Sequence, residues 1–440
     1  MQTISASRFP FGRNFYFIQF SAILNSVASR CSYFALAWWV LSVTHDATAF
    51  AIYVGIGTGA DILARGLFGS LGDTYNKQRL IAMCYWFSLI STLGIATLAS
   101  TQLYLPILLV IFQALSGLAV GIREPLQSSI VPFQVTKEQL SSAIQWRAAA
   151  MTIVTFCSPI IGTGFISVMG AHNTLWVSFG IIILSIALLN FAKNIDATPE
   201  NAPKRPKWNS GFSAIRRLPP EISLIKVTFI MNLGLFPFLG VALPAFFHQN
   251  YAQRPWLFGI ADTAFAVGMF LGATQLGKRL NHAWGRANST YSGYFALGLG
   301  VLITAIMCQI LTQFILSYFI VMCLGMCLAG CGLMVAVTNT SFMRSAASPQ
   351  HYLNRISASS TFSTGIASPL GVVLSGLCVT YLGLYMTLIV LSLILILGSI
   401  SSFFSANLRQ VLALPDDKIY GAYEHHFPNA FTKNSIEPSS

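Results

Sequence analysis

Long apolar runs follow one another along almost the whole chain, and they constrain its fold more than any other feature. A run of about 18 or more apolar residues reads as a membrane-crossing helix. Twelve such runs are legible, at 14–41, 48–72, 79–100, 104–123, 138–168, 172–193, 222–247, 256–278, 288–309, 313–342, 352–381 and 383–405. Their length and their lack of period-two alternation favour helices over a barrel. The runs at 138–168, 313–342 and 352–381 exceed the roughly 20 residues a span needs, which predicts tilt or overhang. Charged residues make up 9% of the chain, against about 25% in a soluble domain.

The gaps between the runs alternate in charge. With the N-terminus on the cytoplasmic side, the outer gaps fall near 42–47, 101–103, 169–171, 248–255, 310–312 and around Gly383. They hold a single basic residue, Arg254, and three more lie deep inside runs, at Arg30, Arg65 and Arg147. Every other Lys and Arg sits on the opposite side, so the positive-inside bias predicts that both termini are cytoplasmic. The net charge of +12 is therefore membrane-proximal. It orients the chain and meets anionic lipid, and it excludes nucleic acid as a partner. The first run is too long for a cleaved signal peptide. The expected location is a bacterial inner (plasma) membrane.

The stretch 194–221 interrupts the apolar pattern with five prolines and five basic residues. It reads as a cytoplasmic linker between two six-helix bundles, 14–193 and 222–405, with a cytoplasmic N-terminus at 1–13. The tail at 406–440 is polar and is expected to be a loosely ordered cytoplasmic end. Faint self-similarity marks a duplication: Ser158-Pro159 with Gly162 in run 5 answers Ser368-Pro369 with Gly371 in run 11. Parallel repeats with a substrate site between them are a transporter arrangement.

The loop after run 2 reads Gly69-Ser-Leu-Gly-Asp73-Thr-Tyr-Asn76-Lys77-Gln-Arg79. Its Gly69, Asp73, Lys77 and Arg79 resemble the signature loop of the major facilitator superfamily. Asn76 stands at the turn glycine, and Asn tolerates the left-handed conformation best after Gly. The resemblance implies an all-α polytopic fold of twelve helices in two bundles. It also implies a cytoplasmic latch, with Arg123 as the partner of Asp73. Pro159 and Gly162 resemble the family's antiporter motif, although Ser158 and Thr163 depart from it. Three further stretches are similar to the macrolide-efflux and enterobactin-exporter branch of the twelve-span drug/proton antiporters: Phe34-Ala-Leu-Ala-Trp38-Trp39 leading to Thr44-His-Asp46-Ala-Thr48, Gln139-Leu-Ser-Ser-Ala-Ile144, and Arg355-Ile-Ser357 with the run 11 motif. Gln113 stands where many of those antiporters carry an arginine.

An ionisable group inside a span costs at least about 2.5–3.5 kcal/mol at the helix centre, so it needs a partner or a wet cavity. Asp61 and Arg65 are one turn apart, and Arg30 lies at similar depth in run 1, which predicts an Arg30–Asp61–Arg65 cluster. Two readings of it stand: a proton or substrate switch, and a salt bridge fixing spans 1 and 2. Asp262 has no basic residue near it in its own span. A carboxylate without a cation beside it in a poorly solvated place takes up a proton readily. Asp61 and Asp262 are thus the coupling candidates. Arg147 is expected to meet Glu124 or Glu138.

Family architecture sets spans 1, 4, 7 and 10 around the cavity, which nominates Gln19, Ser26, Arg30, Tyr33, Gln113, Asn232 and Phe236. Ser357, Thr361, Thr364 and Ser368 form a stripe on span 11. Such a polar and aromatic lining suits a bulky organic molecule. Cys323, Cys327 and Cys331 recur every four residues and read as packing, so no metal is expected. No cofactor is expected, and the proton gradient is the expected energy source. The expected function is proton-coupled efflux of a siderophore or lipophilic drug by a monomer in the bilayer. Metabolite or siderophore uptake by the same fold is the alternative, ahead of a membrane enzyme or a receptor.

Overall fold

The chain is seen as a computed structural model that describes residues 11–68, 71, 75–136, 138–193, 209–311 and 315–431. Among the described residues there is no strand. The helices in order are α1 Arg13–Thr44, α2 Ala47–Phe68, α3 Lys77–Ser100, α4 Pro106–Ser129, α5 Leu140–Phe191, α6 Asn209–Ile215, α7 Pro219–Pro237, α8 Leu243–Tyr251, α9 Trp256–Ala273, α10 Gln275–Ile310, α11 Leu316–Ala347, α12 Gln350–Gly365, α13 Ala367–Leu382, α14 Leu384–Phe403 and α15 Ala406–Leu412, followed by short turns at Asp416–Ile419 and Ala422–His426.

Ten helices among the described residues are long and apolar enough to cross a membrane, against twelve expected runs. Two causes account for the difference. Helix α5 is continuous in hydrogen bonding, but Gly170 (φ 82°, ψ 167°) breaks its direction at the expected outer gap. Helix α1 is 32 residues long, yet Arg30, Tyr33, Trp38, Trp39 and its serines dilute its apolar content.

Local chemistry explains the ends. Asn76 caps α3 by accepting from the backbone N–H groups of Gln78 and Arg79 at 3.0 and 3.1 Å. Its φ of −60° is extended. Asn76 therefore serves as an N-cap, not as the left-handed turn residue expected from the motif. Pro106 opens α4, where its missing N–H costs nothing. Small residues let neighbouring helices approach closely. A Cβ on Gly117 would fall 2.1 Å from the Gly57 carbonyl oxygen, and one on Gly332 would fall 2.4 Å from that of Gly293.

The described residues divide into two compact units. One comprises those within Met1–Ala202, Pro237–Ala266 and Val372–Thr387, and the other those within Pro203–Phe236, Val267–Gly371 and Leu388–Ser440. The division cuts α7, α9, α13 and α14, whereas the sequence halves meet at the linker. The reason lies inside the first unit. Thr48 donates to the Gly376 carbonyl at 3.0 Å, and Gly259 lies against Pro159 and Thr163. The core of the first unit gathers Ile81, Tyr85, Ala119, Ile122, Leu126 and Ile186.

In the second unit the tail departs from the expected loose end. Leu408, Val411, Leu412, Ile419 and Tyr423 are buried against Ile215, Leu218, Leu224, Met343 and Ile356. An apolar face on α15 and its following turns, hidden within a polar composition, drives this docking. Part of the expected linker is also structured, as α6 and the first turn of α7.

Candidate functional site

Helix α1 carries the polar stripe nominated from sequence, and the first unit gives Gln19, Ser26 and Tyr33 hydrogen-bond partners. Gln19 accepts from Arg147 Nη1 at 2.8 Å and donates to Gln134 Oε1 at 2.9 Å. Arg147 thus bonds Gln19, not Glu124 or Glu138 as expected, because Glu124 is engaged elsewhere. Ser26 turns back onto the Ala22 carbonyl of its own helix at 2.9 Å. The Tyr33 hydroxyl donates to the Gly240 carbonyl at 2.5 Å. Gly240 belongs to a π turn, Phe238–Ala242, that links α7 to α8. Pro244 has no N–H to offer that carbonyl, so Tyr33 supplies one.

The charges pair differently from expectation. Arg65 Nε meets Asp61 Oδ1 at 2.7 Å, and its Nη2 meets Glu124 Oε2 at 2.5 Å. Arg30 takes no part in this group, so the predicted Arg30–Asp61–Arg65 cluster is replaced by Asp61–Arg65–Glu124. The i,i+4 spacing selects Arg65 for Asp61, and close packing of α2 on α4 brings Glu124. Gly121 makes that packing possible, since a Cβ there would lie 2.3 Å from the Asp61 carbonyl oxygen.

Arg30 instead shares its surroundings with Asp262 of α9. The two side chains act on each other electrostatically, and both act on Tyr33. Arg30 is exposed and Asp262 half-buried. Among the described residues neither forms an ion pair at contact distance. The cation within electrostatic reach of Asp262 therefore comes from α1 and not from its own span.

A second polar group, deeper in the first unit, went unread in the sequence apart from Arg123. The Arg123 guanidinium donates to Asn25 Oδ1, and Asn25 donates to Ser185 Oγ at 3.3 Å. Tyr85 accepts from Ser21 at 3.1 Å and from Gln127 at 3.2 Å. Arg123 is 3% exposed and its Nε has no partner. Burying this charge among neutral amides and hydroxyls is costly, and it marks α4 as more than a packing element. Asp73 and Gly69 lie outside the described residues. Lys77 is buried, with its ammonium 5.4 Å from the Phe133 ring centroid, and Arg79 is exposed at the start of α3.

The antiporter-like stretch is a packing centre. A Cβ on Gly162 would meet the Phe34 ring at 2.9 Å, and Gly259 of α9 sits against the Pro159 carbonyl and Thr163. Thr263 adds a bond to the Phe156 carbonyl at 3.1 Å. Gln113 lies beside Gly57 of α2.

In the second unit, Asn232 donates to the Thr364 carbonyl at 3.0 Å, and Phe236 is 46% exposed. The cysteine stripe packs as expected, with backbone at Cys327 and Cys331 against Gly268 and Gly272. Among the described residues no His, Cys, Asp or Glu cluster could hold a metal. Glu221, which the sequence did not single out, is fully buried. It accepts from Arg344 Nη2 at 3.0 Å and from the Tyr423 hydroxyl at 2.9 Å. Arg344 also donates to Ser360 at 2.7 Å.

Similarity to known proteins agrees with this architecture. Over 275 residues the chain is 24% identical to the staphyloferrin A transporter of Staphylococcus aureus (strain NCTC 8325 / PS 47), covering 61% of this chain and 67% of that protein. Over 414 residues it is 22% identical to the multidrug efflux pump Tap of Mycolicibacterium fortuitum, covering 90% and 96%. Among solved structures it superposes on the nucleoside transporter NupG with a TM-score of 0.68 at 13% identity, over 89% of this chain and 99% of that one. It superposes equally on a bacterial homologue of the human lysosomal transporter Spinster, with a TM-score of 0.68 at 13% identity, over 92% and 99%. The Major Facilitator Superfamily matches residues 18–303, well over half of the chain. The chain therefore belongs to the Major Facilitator Superfamily, as a multi-pass transporter of small molecules in the bacterial plasma membrane and not an enzyme.

Proposed function

We propose that this transporter exports bulky amphipathic organic molecules, lipophilic drugs or siderophores, by alternating access driven by the proton gradient. The observation that carries the reading is the pairing of an exposed Arg30 with a half-buried Asp262 in one compact unit, close enough to act on each other without forming a contact ion pair. A carboxylate shared between a proton and an organic cation holds one or the other, and that competition is what exchange requires. Tyr33 stands beside both groups and offers an aromatic face. Gln19, Ser26 and Gln113 supply the remaining lining within the first unit. Asp61 is the second coupling candidate, although its bonds to Arg65 occupy both carboxylate oxygens. Gly69, Asp73, Lys77, Arg79 and Arg123 form the cytoplasmic gate in this reading, and Pro159 with Gly162 forms the bend of the antiporter motif. The full-length similarity to an efflux pump supports export.

A second reading follows from Arg30 itself. Protonation of Asp262 releases Arg30 to an anion, so an anionic siderophore and a proton would bind together and travel the same way. Similarity to a staphyloferrin A transporter favours this class of substrate. Transport in inverted vesicles with an imposed pH gradient separates the two. Exchanging Arg30 for Gln should abolish transport of an anion and spare that of a lipophilic cation. Cation transport lost in that variant, with anion transport intact, would reject the assignment.

A further inference from the structure

The helix hairpins at 237–266 and 372–387 belong to the first unit, whereas the rest of α7, α9, α13 and α14 belongs to the second. The cut through α7 falls at Pro237, immediately before the π turn Phe238–Ala242. The cut through α13 follows Pro369 and Gly371. Prolines and π turns are where helices bend, so the cuts coincide with points of bending. Both hairpins lie at the span ends remote from the basic loops, the ends that the charge bias sets outside.

Within the first unit, side chains of α1 and α2 hold both hairpins by their backbone carbonyls. Tyr33 donates to the Gly240 carbonyl at 2.5 Å, and Trp38 Nε1 donates to that of Ala252 at 3.3 Å. Thr48 Oγ1 donates to the Gly376 carbonyl at 3.0 Å and lies 2.7 Å from the Thr380 hydroxyl. The hairpins are also tied to each other, since the Tyr385 hydroxyl donates to Asn250 Oδ1 at 3.0 Å. Close approach is built in: a Cβ on Gly376 would fall 3.0 Å from the Ala51 Cβ, and one on Gly240 would fall 3.3 Å from the Tyr33 hydroxyl. Tyr33 and Thr48 are half-buried, not sealed in the core. Their bonds therefore sit where water enters once the hairpins part.

We propose that Tyr33 and Thr48 are the positioning residues of a closed gate at this end of the molecule, and that the two hairpins leave α1 and α2 together when it opens. The Tyr33 bond holds the π turn, so its loss frees α7 to bend at Pro237. The Tyr385–Asn250 bond joins the hairpins, so release at Thr48 is felt along α8 and release at Tyr33 is felt along α13. The acceptors at Gly240 and Gly376 are main-chain oxygens, so each latch depends on the donor side chain and on close backbone approach. This gate presupposes the alternating access proposed above, but neither its direction nor its coupling ion.

The test is hydrogen–deuterium exchange of the full-length protein in lipid nanodiscs, read by mass spectrometry of its peptides. Tyr33→Phe and Thr48→Val each keep the shape of the side chain and remove its hydroxyl. Each should speed exchange roughly five-fold at both hairpins, over 241–252 and 372–382, the loss of one bond of about 1 kcal/mol. The distant segments decide the matter. Thr48→Val should speed exchange at 241–252, and Tyr33→Phe should speed it at 372–382, which a purely local packing role would leave untouched. The double variant should reach roughly twenty-five-fold, as two bonds that oppose one opening. The far parts of the same helices, 219–235 and 355–366, should keep wild-type exchange, which separates gate opening from unfolding. Exchange that rises only beside the altered residue, rises equally in the far parts, or stays unchanged in both variants would overturn the proposal. Substrate and gradient play no part in this readout, so a failed transport assay counts against the transport reading alone.

Discussion

Side chain by side chain, the charges within the spans differ in what surrounds them. Arg65 is tied to Asp61 and Glu124, all three partly open to water. Partly exposed pairs contribute little, so Arg65→Gln should lower stability by less than about 1 kcal/mol in a thermal melt. Arg123 is buried and bonded to Asn25, so Arg123→Gln should cost about 1.5–3 kcal/mol in the same measurement. Asp262, beside Arg30 with no contact ion pair, is the residue on which coupling rests. Asp262→Asn should weaken counterflow of a lipophilic cation and abolish its uphill transport together with the coupled proton movement, read by a trapped pH dye. Uphill transport persisting in that variant would move coupling to Asp61. These charges were visible in the sequence because ionisable residues are rare in apolar runs. Arg65 beside Asp61 was visible too, but partners on other helices were not: Arg30, within electrostatic reach of Asp262, is more than two hundred positions away, and only packing decides such a pairing.

Among the elements, glycine placement explains which helices pack most closely. Gly332 of α11 and Gly293 of α10 face each other through their backbones. Gly332→Leu should destabilise the protein by about 1–3 kcal/mol or more through overpacking. Gly164, whose Cβ would meet nothing within 4 Å, should accept Ala with little change in melting temperature. The long apolar runs announced the helices because nothing else satisfies backbone groups in lipid. Residue 170 was read as an outer gap, yet the gap proved to be one glycine at positive φ, which a composition window cannot resolve. Asn76 shows the converse. Its motif position pointed to a turn, and the helix that follows recruited its side chain as a cap.

Taken whole, the second unit is closed by a segment that composition had placed outside the fold. The tail docks through Tyr423 onto Glu221, which also holds Arg344. Burial and the neighbouring Glu221 push the Tyr423 hydroxyl well above the ordinary tyrosine range. A group whose folded pKa is raised stabilises the fold fully below its unfolded pKa, here about 10. That contribution is lost as pH rises further. Limited proteolysis should therefore leave the tail protected at neutral pH and release it at strongly alkaline pH. Tyr423→Phe should loosen the tail at neutral pH and flatten this dependence. Glu221→Gln leaves Arg344 without its carboxylate partner and should cost about 3–5 kcal/mol. The apolar face of the tail was too short and too interrupted to be read as an element, and its partners come from four separate stretches of chain.

The sequence alone determined that this protein is a helical, many-span membrane protein, because the cost of burying backbone and charge in hydrocarbon leaves few alternatives. It also carried the loop that identified the family. Tertiary structure decided which charges meet, that Arg30 attends Asp262 and not Asp61, and that the tail belongs to the fold. Those outcomes depend on helix rotation and on approach distances of a few ångströms, set by small residues on neighbouring helices and by no property of a single run.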